Sequence, residues 1–127
     1  MPWDVRYMHG TETLVVTASG LVSDQEAGEL TAKAIALLKE TQATRVLSDC
    51  RRMASAPSLA TVWWLVNDYA NRGLSRETRI AVVQSKSPRA TELGQFYETV
   101  CFNRRYQAKV FHSPQAAEAW LQAPGAP

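Results

Sequence analysis

Short β-branched runs alternate with longer segments of helical periodicity along most of the chain, and few folds are compatible with that order. Three apolar runs, at residues 45–49, 79–83 and 108–112, each follow a segment long enough to form a helix. Strands separated by helices pair in parallel through right-handed crossovers, because a tight turn cannot join two parallel strands. The alternation therefore predicts an α/β domain built on a mostly parallel sheet.

The chain begins with two strand-like segments before its first helix. Residues 3–8 alternate weakly in polarity, residues 13–19 are rich in β-branched side chains, and four residues separate the two segments. So short a connection predicts an antiparallel hairpin at the edge of the sheet. The complete predicted order is ββαβαβαβα, with five strands and four helices in one domain over residues 1–122. The small and proline-rich residues 123–127 are predicted to form a flexible tail.

Each predicted helix follows a serine. Ser23 and Glu26 form a capping-box pattern, in which the hydroxyl and the carboxylate each accept a backbone N–H. Ser58 precedes the second helix, and Ser87 and Ser113 each precede a proline, which is favoured at the first helical position. Because the carboxyl ends of parallel strands lie at the same edge of a sheet, the four helix starts are predicted to share one rim.

That rim is where open parallel sheets hold ligands. At this edge the sequence places Asp49, Arg51, Arg52, Lys86 and Ser87. One interpretation is an anion site formed by helix N-termini and basic side chains. The other, which we favour, is that the serines cap helices and that the basic side chains are solvated, because both are common on protein surfaces.

No arrangement of residues in the sequence indicates a catalytic or metal site. Asp49 lacks an adjacent histidine, cysteine or second acid, so a reaction that uses Asp49 with Arg51 or His112 requires these groups to converge in the fold. The two histidines have no metal-ligand spacing, and the two cysteines do not form a CxxC motif. We therefore predict a protein that is not an enzyme and that uses no cofactor and no metal.

Composition limits the cellular setting and the partners. The 127 residues suit one domain, and a net charge of +2 lacks the basic surplus typical of nucleic-acid binding. Two cysteines are too few for a secreted disulfide framework, and the sequence has neither a signal-peptide pattern nor a membrane-spanning apolar run. We expect a cytoplasmic protein that does not bind nucleic acid and whose contact with membranes is at most peripheral.

The second predicted helix is more apolar than one buried face requires. Helical spacing places Trp63 with the residues that should pack on the sheet, whereas Trp64 and Leu65 lie off that face. The third helix offers Phe96 and Phe102 as an opposite wall. Two interpretations stay open. In the first, a neighbouring helix or loop covers Trp64. In the second, the side chains of Trp64, Leu65, Phe96 and Phe102 together form an exposed apolar patch. Such a patch would bind an apolar ligand, a membrane surface, a protein partner or a second copy of the chain.

Several short segments resemble those of stand-alone bacterial SpoIIAA-like proteins, which share the fold of STAS domains. These are Gly20 before the first helix, Leu47-Ser48-Asp49, the run Ile80 to Val83, Val110-Phe111, and Ala117-Glu118-Ala119-Trp120-Leu121. The resemblance extends from about Trp3 to Leu121. It implies a SpoIIAA-like fold, and the relation to SEC14-type lipid binders implies a lipid-like ligand as an alternative function.

The resemblance also implies a regulatory module that acts through protein–protein interaction at the start of the second helix. STAS proteins of the anti-sigma-factor-antagonist type carry a regulatory serine there, within an Asp-Ser-Ser-Gly pattern. The corresponding stretch is Ala56-Pro57-Ser58-Leu59, which keeps the serine but not the preceding aspartate or the following glycine. Ser58 is therefore a candidate phosphorylation site, and helix capping is the alternative role that we favour.

Overall fold

The structure is a computed structural model that describes residues 3–55 and 57–124, and this part of the chain forms five strands and four helices. Ala56 and residues 125–127 of the predicted tail lie outside the described residues. The elements are β1 (Trp3–Met8), β2 (Thr13–Gly20), α1 (Asp24–Thr41), β3 (Arg45–Met53), α2 (Leu59–Asp68), β4 (Arg79–Val83), α3 (Pro88–Asn103), β5 (Gln107–Phe111) and α4 (Pro114–Gln122).

The five strands form one sheet in sequence order, β1-β2-β3-β4-β5. β1 and β2 are antiparallel, with Val5 opposite Val16, and every other neighbouring pair is parallel. The mixed sheet and the order ββαβαβαβα confirm the predicted α/β architecture. Gly20 ends β2 with a φ of +67°, a conformation that residues with a side chain rarely adopt.

The helices divide unequally between the two faces of the sheet. Ile35 of α1, Val66 of α2 and Val100 of α3 belong to one buried cluster with Val46 and Ile80 of the sheet. The next residue of each strand points the other way: Leu47 and Ala81 pack against Ala117 and Leu121 of α4. Three helices therefore cover one face, and α4 alone covers the other.

The start of each helix follows from local chemistry. Ser23, Ser58, Ser87 and Ser113 are the N-cap residues, and each hydroxyl accepts the backbone N–H three residues later. Ser23 and Glu26 form the complete capping box. Each cap satisfies an N–H that has no partner within its own helix, so these four positions set where the helices begin.

Two elements depart from the expected bounds. β3 continues to Met53 instead of ending at Asp49, because Ser19 and Gly20 of β2 continue to pair with it. α2 ends at Asp68, and turns carry the chain to Gly73, where the sequence predicts helix up to Arg72. The longer β3 arises from pairing with a distant strand, which local periodicity does not encode. After α2, hydrogen bonds of local turns, such as that from the Gly73 N–H to the Ala70 carbonyl, replace those of the helix.

The packed face of α2 matches the prediction at Val62 and Val66 and differs from it at Trp63. Its buried side chains are Val62, Val66 and Tyr69, whereas Trp63, which the helical spacing places on that face, is 40% exposed. The reason is the position of the helix: α2 packs mainly against α1 and α3 rather than directly on the strands. Trp63 consequently turns toward Arg104, whose guanidinium carbon lies 5.6 Å from the centre of its ring.

Candidate functional site

A cavity of about 310 Å³ lies between the sheet and the three helices that cover it. α2 contacts mainly its two neighbouring helices, and the cavity lies between it and the strands. Its lining is mainly apolar and comes from every surrounding element, including Val16, Leu30, Ile35, Val62, Leu65 and Ile80. We refer to this space as the α2 cavity.

Polar groups line the α2 cavity at the carboxyl ends of β3 and β4. They include Ser55 after β3, and Gln84, Ser85, Ser87 and Arg89 after β4. Ser55, Ser87 and Arg89 are exposed, so the cavity meets solvent along this edge. The space therefore has an apolar interior and a polar mouth, and the mouth lies at the rim where the sequence places the helix starts.

Gln84 differs from the other polar groups at the mouth because it is buried, with only 8% of its surface exposed. Its backbone is held from β5: the N–H donates to the carbonyl of Phe111 at 3.0 Å, and the carbonyl lies 3.1 Å from Nδ1 of His112. Its side-chain carboxamide lines the cavity, forms no side-chain hydrogen bond with residues 3–55 or 57–124, and is not sealed from the space of the cavity.

Gly94 of α3 makes room for that carboxamide. A Cβ atom at position 94 would lie 2.6 Å from Oε1 and 2.7 Å from Nε2 of Gln84, closer than real Cβ contacts. The absence of a side chain at Gly94 therefore lets the amide lie against the helix backbone. The sequence pattern does not single out Gln84, and the available signal is a glycine inside a strongly helical segment.

Tyrosine side chains lie at the inner end of the cavity. The hydroxyl oxygens of Tyr69, the C-cap residue of α2, and Tyr97 of α3 are 2.9 Å apart. Burial raises the pKa of both phenols above the usual range, so both remain protonated and either can donate. The pair joins the end of α2 to α3 across the cavity.

The predicted rim residues do not gather at the cavity mouth as one group. Ser48 and Cys50 line the cavity, so Asp49 between them points to the opposite face of the sheet. There it accepts two hydrogen bonds from the Arg51 guanidinium, at 3.0 and 2.8 Å. Arg52 and Lys86 are exposed. Ser87 caps α3 and also lines the mouth.

Asp49 is poorly suited to act as a base. The hydrogen bonds and the charge of Arg51 lower the pKa of its carboxyl group, which opposes uptake of a proton. The imidazole of His112 contacts the backbone carbonyl of Gln84. Of the groups considered for catalysis, the structure thus pairs Asp49 with Arg51. Within the ranges 3–55 and 57–124, no cluster of three His, Cys, Asp or Glu side chains could hold a metal ion.

Ser58 is exposed at the start of α2, and both its hydroxyl and its backbone N–H form hydrogen bonds. Its hydroxyl accepts the N–H of Thr61 at 3.1 Å and donates to the Thr61 hydroxyl at 3.0 Å. Its own N–H donates to the Asp24 carboxylate at 3.1 Å. The side chain therefore caps the helix, and the backbone ties the start of α2 to the start of α1.

The structure separates the four aromatic and aliphatic residues of the predicted patch. Trp64 and Phe102 are 67% and 80% exposed. Leu65 and Phe96 are half-buried instead: Leu65 packs against a cluster at the mouth of the cavity, and Phe96 packs against the main core. The exposed neighbour of Trp64 is Trp63, with ring centres 5.1 Å apart and an edge-to-face arrangement. Among the described residues, no helix has the length and apolar character required to cross a membrane.

Comparison with known proteins supports the architecture. The family model described as SpoIIAA-like matches residues 13–122, and a search of curated proteins found no match. An uncharacterized protein with a SpoIIAA-like fold from Shewanella loihica PV-4 is 17% identical, with a TM-score of 0.58 over 94% of this chain and 91% of that chain. The anti-sigma factor antagonist SpoIIAA in its unphosphorylated form is 14% identical, with a TM-score of 0.59 over 90% of this chain and 91% of that one.

Proposed function

Since the chain belongs to the SpoIIAA-like family, we propose that it is a non-enzymatic binding module that holds an apolar small molecule in the α2 cavity. The observation that carries this proposal is the cavity itself, about 310 Å³ with a mainly apolar lining. Protein interiors are packed as densely as organic crystals, and an apolar void destabilises the fold. Space of this size, with a few polar groups at one end, is typical of a ligand site.

The position of α2 supports the same function. Leu65 and Tyr69 of α2 line the cavity from above, whereas Val16, Val46 and Ile80 line it from the sheet. A helix that packs against its neighbouring helices can cover a ligand without filling the space that the ligand needs. The half-buried Leu65, predicted as part of an apolar surface patch, contributes to binding from inside the cavity in this proposal.

Filling the cavity tests this function. Ala34 lines the cavity on α1, and Ala36, two residues further, is exposed on the same helix. We expect the wild type to bind the neutral fluorophore N-phenyl-1-naphthylamine, Ala34→Leu to bind it at least tenfold more weakly, and Ala36→Leu to bind it as the wild type does. Fluorescence titration measures all three. Equal binding by the two variants, or no binding by the wild type, would contradict the proposal.

A second candidate function is interaction with a protein partner at the start of α2, controlled by phosphorylation of Ser58. The favouring observation is that the exposed Ser58 hydroxyl lies beside a contact between two helices, because the Ser58 N–H donates to Asp24. A phosphate there would bring negative charge close to the Asp24 carboxylate and would weaken the tie between α1 and α2. Intact-mass spectrometry of the protein from its native cell should then show a phosphate that Ser58→Ala abolishes. Unmodified protein under all growth conditions would count against this function.

A further inference from the structure

We infer that the ligand of the α2 cavity is an acyl-chain carboxylate, whose head group hydrogen-bonds to the carboxamide of Gln84 and whose chain occupies the apolar interior. This inference rests on the proposed function, since it names the chemical class of the molecule in the same cavity. Its starting point is that Gln84 is more than nine-tenths buried, lines the cavity and has no side-chain partner within the described ranges.

Buried polar groups in folded proteins almost always have hydrogen-bond partners, and an amide inside an apolar site needs one. The carboxamide of Gln84 is not among the fully enclosed side-chain groups that lack a partner, so its atoms face the open space of the cavity. The carboxamide of Gln84 cannot withdraw toward α3, because Gly94 already lies against it. Its backbone is fixed by Phe111 and His112 of the neighbouring chain segment. The free hydrogen-bonding capacity of Gln84 is therefore directed into the cavity, where a ligand atom can meet it.

The charges around the mouth select the kind of head group. Arg89 is the charged side chain among the lining residues, and none of those residues is an acid. The N-terminus of α3, which begins at Pro88, lies beside it, and the positive end of a helix favours an anion. A cationic head would meet Arg89 and the helix end, whereas an uncharged hydrocarbon would leave the amide without a partner.

Arg89 is available for this role even though it has a partner. Its Nη1 lies 2.8 Å from Oε1 of Glu92, and more than half of each side chain is exposed. An ion pair this exposed contributes little to stability, so the guanidinium can exchange Glu92 for a carboxylate at the mouth. Deeper in the cavity the lining is formed by Ile35, Leu38 and Leu74, which suits the end of an alkyl chain.

The experiment compares head groups on one chain length. Laurate, dodecanol and dodecylammonium compete with N-phenyl-1-naphthylamine for the wild type, for Gln84→Met and for Arg89→Ala. We expect laurate to bind the wild type at least tenfold more tightly than dodecylammonium. Gln84→Met should lose about tenfold or more in affinity for laurate, because a hydrogen bond to a charged group is stronger than one between neutral groups, and should lose much less in affinity for dodecanol, whose head group is neutral. Arg89→Ala should lose less.

The outcomes separate this inference from the proposed function. If the fluorophore binds but laurate and dodecylammonium compete equally, or if Gln84→Met binds laurate as the wild type does, the assignment of the head group is wrong and the apolar site stands. If neither the fluorophore nor laurate binds the wild type, the proposed function fails and the inference fails with it. Far-UV circular dichroism and a urea unfolding curve show that Gln84→Met is folded, and Ala36→Leu is the variant expected to bind every probe as the wild type does.

Discussion

The hydroxyl oxygens of Tyr69 and Tyr97 lie 2.9 Å apart and form the hydrogen bond that joins the end of α2 to α3. Tyr69 is buried and Tyr97 is half-buried, and removal of either hydroxyl leaves the other without this partner. We expect Tyr97→Phe to lower the free energy of unfolding by about 1–2 kcal/mol. Urea unfolding followed by circular dichroism measures the change.

Tyr106 provides a matched control in the same ring cluster. Its ring packs edge-to-face on Tyr69 at 5.3 Å, yet its buried hydroxyl has no hydrogen-bond partner in the described part of the chain. Tyr106→Phe should therefore leave stability unchanged or raise it by up to about 1 kcal/mol. Equal losses in the two variants would show that the substitutions act through ring packing rather than through the hydroxyl pair.

The fold could be predicted largely from the sequence because its determinants are local. The caps at Ser23, Ser58, Ser87 and Ser113 set the helix starts, and β-branched runs between helices specify a parallel sheet. Strand length was less predictable: residues 50–53 carry no strong strand pattern and join β3 because β2 lies alongside them. Local sequence patterns do not show which distant segment a strand will pair with.

The site could be predicted only in part, because it depends on how far α2 stands from the sheet. Helical periodicity places Val62, Trp63 and Val66 on one inward face, and the structure buries Val62 and Val66 but leaves Trp63 40% exposed, because α2 packs mainly against α1 and α3. The same packing creates the cavity. The topology predicts that the helix starts lie at one edge of the sheet, whereas the close approach of Gln84 to Gly94 needs three-dimensional coordinates, since nine residues separate them along the chain.

Ser58 yields a prediction that concerns stability rather than signalling. Its hydroxyl caps α2, so Ser58→Ala should lower the free energy of unfolding by about 1 kcal/mol. Ser58→Asn keeps a capping oxygen and should stay within a few tenths of a kcal/mol of the wild type. Urea unfolding curves of the three proteins measure these differences. A Ser58→Asn variant as unstable as Ser58→Ala would show that capping is not the structural role of this side chain.

Cys50 offers a chemical probe of the cavity. Burial raises the pKa of its thiol to about 12, with a smaller contribution from the negative charge of Asp49, so little thiolate exists near neutral pH. We expect iodoacetamide at pH 8 to modify Cys50 much more slowly in the folded protein than in urea. Because Cys50 lines the cavity, a bound apolar ligand should slow the reaction further.

Peptide mapping by mass spectrometry distinguishes Cys50 from Cys101, which is fully buried and provides the internal control. Burial also raises the pKa of the Cys101 thiol to about 12, but Cys101 does not line the cavity. A ligand in the cavity should protect Cys50 more than Cys101. Equal protection of both thiols would indicate that the ligand acts by stabilising the whole fold rather than by covering Cys50.

Asp49 should make stability depend on pH in acid. Hydrogen bonds from Arg51 hold the pKa of its carboxyl group below the ordinary value near 4, so the carboxylate is favoured in the folded state. Its stabilising contribution is therefore fully present above about pH 4 and is lost as the pH falls through the lowered pKa.

The difference in unfolding free energy between the wild type and Asp49→Asn should shrink as the pH falls from 7 toward 2. Arg51→Gln should remove the larger part of this pH dependence, because it removes the guanidinium, whereas the backbone N–H of residue 51 still donates to Asp49. Urea midpoints measured across that range test both variants, and a difference that grew in acid would show that Asp49 is more stable protonated in the folded protein.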